Sequence, residues 1–185
     1  MDYRIYTAWE QVPPRLREEA DGLLVEAFPP EERRGLEEFH SLLGTTRLEL
    51  LLALEGEEVL GFLMVWNLPE LAFLENFAVS RQCRGRGIGS HMLDYVSARW
   101  GKPVLLEVEP PEGELQRRRI GFYERNGFHL NGTYPYLMPG LHPGDPALPL
   151  LLMSRPAPMT DGEARKAAAL LYREVYAGKE IPPLP

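Results

Sequence analysis

The chain has 185 residues, 44% hydrophobic and 25% charged, with a formal net charge of -7, which is the balance of a globular domain long enough to bury a core. The acidic excess excludes a broad nucleic-acid footprint, and the lone Cys83 excludes an intrachain disulfide. Four scattered histidines lack the spacing of a metal site, no apolar run approaches the roughly 18 residues that span a bilayer, and no secretory leader is visible, so the expectation is a cytoplasmic protein without metal, nucleic-acid or membrane partners.

In chain order, "DYRIYTA" (2–8) alternates as a strand, and Leu16, Ala20, Leu23, Leu24 and Ala27 recur at helical spacing after Pro13 and Pro14, which suit a helix entrance. Leu36, Phe39, Leu42 and Leu43 repeat that period after a Pro-Pro break. From Arg47 to Val79 three apolar runs are separated by turn material at Glu55-Gly56-Glu57 and Asn67-Leu68-Pro69, which predicts a three-strand antiparallel meander. A helix follows with Ile88, Met92, Leu93 and Val96 on one face, then a buried strand at 103–108. The third meander strand, this helix and that strand form one βαβ crossover. Residues 115–128 read as a helix closed at Asn126-Gly127, 134–149 as a long structured loop rich in proline, and 148–154 as a late strand. "TDGE" (160–163) is a capping box ahead of an apolar stripe at Ala164, Ala168, Leu171 and Val175. The expected organisation is a domain over 1–157 and a helical extension over 158–185 that packs on the domain or on a second subunit of a homodimer.

The stretch "CRGRGIGS" (83–90) places three glycines and two arginines between a strand and a helix. Glycines there let backbone N–H groups face a cavity unshielded by side chains, and the helix N-terminus adds partial positive charge, so the corner suits a phosphate. A P-loop would need a lysine after the corner, and none follows. A dinucleotide fingerprint would need GxGxxG, whereas Gly85, Gly87 and Gly89 give GxGxG after an antiparallel meander.

The run Arg84-Gly85-Arg86-Gly87-Ile88-Gly89 resembles the [RQ]xxGx[GA] pattern of the GCN5-related N-acetyltransferases (GNAT), and Gly121-Phe122-Tyr123-Glu124-Arg125-Asn126-Gly127-Phe128 resembles that family's FYxxxGF segment. The resemblance covers residues 2 to 155. It implies an α/β (α+β) fold with a mixed, mostly antiparallel central sheet, a β-α-β crossover and flanking helices. It also implies acetyl-CoA as co-substrate, with its pyrophosphate on the amides of Arg84, Gly85, Arg86, Gly87, Ile88, Gly89 and Ser90 and its pantetheine arm along Phe77, Ala78 and Val79. Further contacts are expected from Gln116 and Arg119, which stand where the family often has an asparagine and a small residue. Near Phe77 the resemblance points to a backbone N–H for the oxyanion.

Acetyl transfer needs a base for the acceptor ammonium and an acid for the departing thiolate. Glu75, a carboxylate inside the apolar "AFLENFAV", is the candidate base, and the motif makes Tyr123 the candidate acid. Cys83 is read as an incidental loop residue, His129 is given no role, and Arg117 and Arg118, with Arg119, either reach the nucleotide phosphates or form a solvated helix face. In this fold the acceptor side would come from residues 28–39 and 134–146, where Glu31, Glu32, Glu37, Glu38 and Asp145 favour a cationic amine. The sequence therefore predicts an acetyl-CoA-dependent N-acetyltransferase. A catalytically silent acyl-CoA sensor with the same fold is the alternative.

Overall fold

In the computed structural model, which describes residues 1–183, the chain divides into two compact units, Met1–Gly101 and a second beginning at Lys102. The first unit carries β1 (Asp2–Tyr6), α1 (Pro14–Ala27), α2 (Leu36–Leu42), β2 (Leu48–Glu55), β3 (Glu58–Asn67), β4 (Ala72–Val79) and α3 (Ile88–Trp100). Its strands pair in the order β1-β2-β3-β4, each antiparallel to the next, as the meander reading expects.

Residues 50–54 of β2 and Phe62, Leu63 and Val65 of β3 are fully buried, because both faces of these strands are covered. Phe62 meets Phe28 just beyond α1, while its neighbour Gly61 faces Met92 of α3. At Gly61 a Cβ would lie 2.8 Å from the Ala78 carbonyl oxygen, so only glycine allows β3 to run this close to β4. α1 begins with Pro14 in its first turn and buries Leu16, Ala20, Leu23 and Leu24, as their spacing predicts.

The second unit carries β5 (Val104–Val108), α4 (Glu114–Arg125), β6 (His129–Met138), β7 (Leu148–Arg155) and α5 (Asp161–Glu174). β7 pairs antiparallel with β5 on one side and with β6 on the other. α4 stops at Asn126 and Gly127 (φ +78°), the left-handed closure its sequence signals. The capping box forms as read: Thr160 Oγ1 accepts from the Glu163 amide, and the Glu163 carboxylate accepts from the Thr160 amide. α5 packs against β6.

One reading needs correction. Residues 134–138 are not loop but the second half of β6, so the irregular segment shrinks to 139–147. Pro135 suggested loop, yet β6 is the outer strand of its set, where a missing N–H costs no ladder bond. The pairing also slips between Asn131 and Tyr136, letting the strand absorb Gly132 and Pro135. Among the described residues the architecture is mixed α/β with seven strands, mostly antiparallel pairing and five α-helices, and the fold class is the expected one. Among the described residues no helix is long and apolar enough to cross a membrane, and no three His, Cys, Asp or Glu side chains gather as a metal site.

Candidate active site

β4 leads through one helical turn at Arg81–Cys83 into the glycine corner. Gly85 (φ +78°) and Gly87 (φ +75°) are left-handed, a conformation that strains any residue with a Cβ, and Gly87 caps α3 with no side chain closing the helix end. The amides of Gly85 through Ser90 therefore find no acceptor among the described residues; His91 is the first to bond back, to the Gly87 carbonyl. Six consecutive open N–H groups at the positive end of a 13-residue helix make an anion cradle. A Cβ at Gly85 would meet nothing within 4 Å, so the cradle opens outward.

The side chains around the corner divide. Ile88 is buried, so only its amide can serve the cradle. Arg84 is exposed and lacks a partner among the described residues, while Arg86 is held by Glu55, with Nη2 at 3.1 and 3.0 Å from the two carboxylate oxygens. Cys83 is buried, with Arg86 Nη1 3.9 Å from its sulfur, which suits a packed thiol. Phe77 and Val79 are half-exposed and Ala78 is buried, paired with Leu63, Gly61 and Phe62 of β3 respectively.

Upstream on β4, the ladder slips: Leu74 pairs with Val65 and Asn76 with Met64, leaving Glu75 as the extra residue of a β-bulge. Its side chain is only 6% exposed. Oε1 accepts from Arg34 Nε at 2.7 Å, and Oε2 accepts from Trp66 Nε1 at 2.6 Å. Arg34, 3% exposed, also donates from Nη1 to Glu38 at 2.7 Å and lies over the Trp66 ring at 5.7 Å. Asn76 Nδ2 adds a bond to the Glu32 carbonyl, so two β4 side chains hold the segment leading into α2. Arg34 and Trp66 were not among the residues singled out, because "EERRG" reads as a solvated charge run and Trp66 as one more core aromatic.

In the second unit, Tyr123 is half-buried on the last turns of α4, edge-on to Phe122 and Phe128. Burial pushes its phenol up to about 12, partly offset by the nearby Arg119 guanidinium, and no hydrogen bond to its hydroxyl is found among the described residues. It therefore stays protonated through the neutral range, as a donor must. Gln116 and Arg119 both turn to Glu109, at 3.3 and 2.8 Å, and Arg117 donates to the carbonyls of Pro111 and Glu112. His129 is exposed, and its ring Nε2 lies 3.1 Å from the Pro156 carbonyl oxygen.

A second cluster in this unit was missed from the sequence. Glu107 of β5 accepts from Tyr136 Oη, and Tyr176 Oη lies 2.8 and 3.0 Å from its two oxygens. Burial, with the Glu107 charge beside it, pushes the Tyr136 phenol well above its usual value. Only the strand reading of 134–138 would have flagged Tyr136.

Comparison with known proteins places these features. The GNAT acetyltransferase domain model matches residues 46–130. A protein from Bacteroides thetaiotaomicron assigned to the GNAT acetyltransferases superposes with a TM-score of 0.86 at 29% identity, covering 95% of this chain and 98% of its own. An aminoglycoside 6'-N-acetyltransferase complexed with coenzyme A shares the fold at 17% identity, TM-score 0.61, 87% and 100% coverage. So does the ribosomal-protein-S18-alanine N-acetyltransferase of Escherichia coli, at 20% identity, TM-score 0.55, 86% and 96% coverage. No curated protein matches the sequence. The β4 strand, the glycine corner and the FYxxxGF segment all lie within the matched span, so the part of the chain that is similar to the GNAT acetyltransferase domain is the part that carries these features.

Proposed function

We propose that the protein is an acetyl-CoA-dependent N-acetyltransferase that passes the acetyl group to a primary amine by direct attack in a ternary complex. The observation that carries this is the run of open amides from Gly85 to Ser90 at the start of α3, which offers an acyl-CoA pyrophosphate ready donors in an otherwise acidic chain. Arg84 adds an exposed cation beside it, whereas Arg86 would have to leave Glu55 to join. Phe77 to Val79 are proposed to flank the pantetheine arm, with Gln116 and Arg119 as further contacts.

In the reaction the amine nitrogen attacks the thioester carbonyl carbon, a C–N bond forms, the C–S bond breaks and coenzyme A departs as a thiolate. The oxyanion formed on the way is assigned to a backbone N–H near Phe77. The acceptor's proton is assigned to Glu75: a carboxylate has about four acceptor positions, and hydrogen bonds from Arg34 and Trp66 use two of them. The thiolate's proton is assigned to Tyr123, whose raised pKa keeps it a donor at neutral pH. The transferase domain is proposed to span 1–157 and to work in the cytoplasm.

Purified protein is given acetyl-CoA with a panel of small amines, amino acids, aminoglycosides and amine-terminated peptides, and free thiol is followed. Amine-dependent thiol release supports the enzyme. Tight acetyl-CoA binding with no release across the panel would leave the sensor reading in its place.

A further inference from the structure

The last turn of α5 and the segment after it have no part in acetyl transfer as described so far, yet they make a series of specific contacts. Tyr172 Oη donates to the Leu137 carbonyl at 2.6 Å, Tyr176 Oη donates to Glu107, and Lys179 Nζ donates to the Leu141 carbonyl at 2.7 Å. The three donors are spaced along one short piece of chain. Their acceptors are the end of β6, the middle of β5 and the first part of the 139–147 loop.

The loop also closes on itself. The His142 amide donates to Asp145 Oδ2 at 3.1 Å and the Asp145 amide donates back to the His142 carbonyl at 3.0 Å, while a Cβ on Gly140 would collide with the Asp145 backbone. This gives a tight turn between β6 and β7. One end follows β6, and Lys179 fixes the Leu141 carbonyl beside it, where the Leu141 side chain is buried. The Asp145 carboxylate read as an acceptor determinant also holds the turn, through one of its oxygens. Tyr136 leaves the same end of β6 to meet Tyr176 on Glu107, so strand, loop and C-terminal segment share one set of hydrogen bonds.

We propose that residues Tyr172 to Lys179 are positioning residues of the transferase, fixing the 139–147 loop so that it presents one shape to the acceptor amine. The inference rests on the reading of this chain as a transferase whose late loop borders the acceptor. A chain that ended after α5 would keep its glycine corner and lose the Tyr176 and Lys179 parts of the anchor that sets acceptor affinity.

The test uses the full chain with Lys179→Met, which keeps the aliphatic stem and removes the donor, and Tyr172→Phe, which removes one hydroxyl. Two readouts are taken: amide hydrogen exchange over residues 137–142, and steady-state kinetics with the best amine of the panel. The net loss of a hydrogen bond from a charged donor is on the order of tenfold in an equilibrium. Lys179→Met is therefore expected to speed exchange in 137–142 by about that factor and to raise the acceptor KM severalfold, with the acetyl-CoA KM unchanged. Tyr172→Phe should act the same way more weakly, since its donor is neutral. Unchanged exchange overturns the anchor. Faster exchange with unmoved acceptor KM makes the segment a structural tie only, and overturns the proposal. A wild-type protein silent with every amine removes the transferase reading itself, and the proposal with it, whatever the exchange shows.

Discussion

Removing the Arg34 side chain tests the buried cluster on β4 most directly. Arg34 and Glu75 are 3% and 6% exposed, so neither charge has water to fall back on, while Glu38, at 33%, can turn outward when its partner goes. Arg34→Met leaves Glu75 with the Trp66 indole as its remaining donor of the two. Breaking a buried pair from one side costs about 3 to 5 kcal/mol because an uncompensated charge stays inside. At roughly 2 to 4 °C per kcal/mol for a chain of this size, the melting temperature should fall by about 6 to 20 °C. Adding Glu75→Gln removes the stranded charge and keeps an oxygen for Trp66 Nε1, so the double variant should recover much of the loss, with a coupling of about 2 to 3 kcal/mol. Urea unfolding of wild type, both single variants and the double variant gives the cycle from the midpoints, provided the slopes agree. An Arg34→Met cost below about 1 kcal/mol, or a double variant weaker than either single one, would refute the reasoning. It would mean that water reaches the pair and that the indole contact, not the ion pair, holds Glu75.

Three further outcomes follow from the site. Gly87→Val should abolish acetyl-CoA binding by calorimetry while circular dichroism stays native, because a branched Cβ at φ +75° strains the cap and crowds the open amides; unchanged affinity in a folded variant would remove the phosphate reading. Glu75→Gln should lower the rate most at low pH and recover partly as pH rises and more acceptor is unprotonated, so a pH-rate profile identical to wild type would exclude Glu75 as base. Tyr123 sits at about 12 when folded against an ordinary value near 10, so its contribution to stability is complete below about pH 10 and is lost as pH rises toward 12. Tyr123→Phe should flatten the alkaline fall in stability over that window and lower kcat about a hundredfold. That kcat deficit should shrink with an acyl donor whose thiol is more acidic, and an equal deficit for both donors would make Tyr123 a packing residue.

The glycine corner was legible in the sequence because its cause is local: Gly85 and Gly87 adopt backbone angles that only glycine adopts without strain, and the helix start is marked by the apolar period behind it. Gly89 was legible for a different reason, since it contributes an open amide in the first turn of α3, not a left-handed angle. The meander, α4 with its left-handed closure, and the capping box were equally local. Residues 134–138 were not, because Pro135 forbids a central strand but not an outer one, and strand position is a property of the assembled sheet. The bulge at Glu75 was hidden as well. "AFLENFAV" alternates plausibly whether or not the ladder slips, and only the pairing with Val65 and Met64 reveals the extra residue. The tyrosines on Glu107 come from positions 136 and 176, a separation across which no periodicity speaks.

Energetically, the Arg34–Glu75 pair is the least economical feature of the first unit. A buried ion pair replaced by apolar residues of similar volume is commonly neutral or stabilising, and β3 and β4 are otherwise packed with Leu, Val and Phe that would accept such a replacement. The pair also sits on a bulge, where the ladder has already given up regular pairing for one residue. Neither cost strengthens the sheet. Together they turn one carboxylate toward the segment that runs into α2 and fix its orientation with donors on both oxygens. The same strand then continues through Phe77, Ala78 and Val79 into the cradle of open amides. Concentrating a bulge, a buried pair and a helix end without a side-chain cap along one strand is expensive for a scaffold and understandable for a site, since local violations of packing rules gather where chemistry is done. That pattern, more than the presence of Glu75 in the sequence, is why β4 is the element on which the proposed transferase reading is placed.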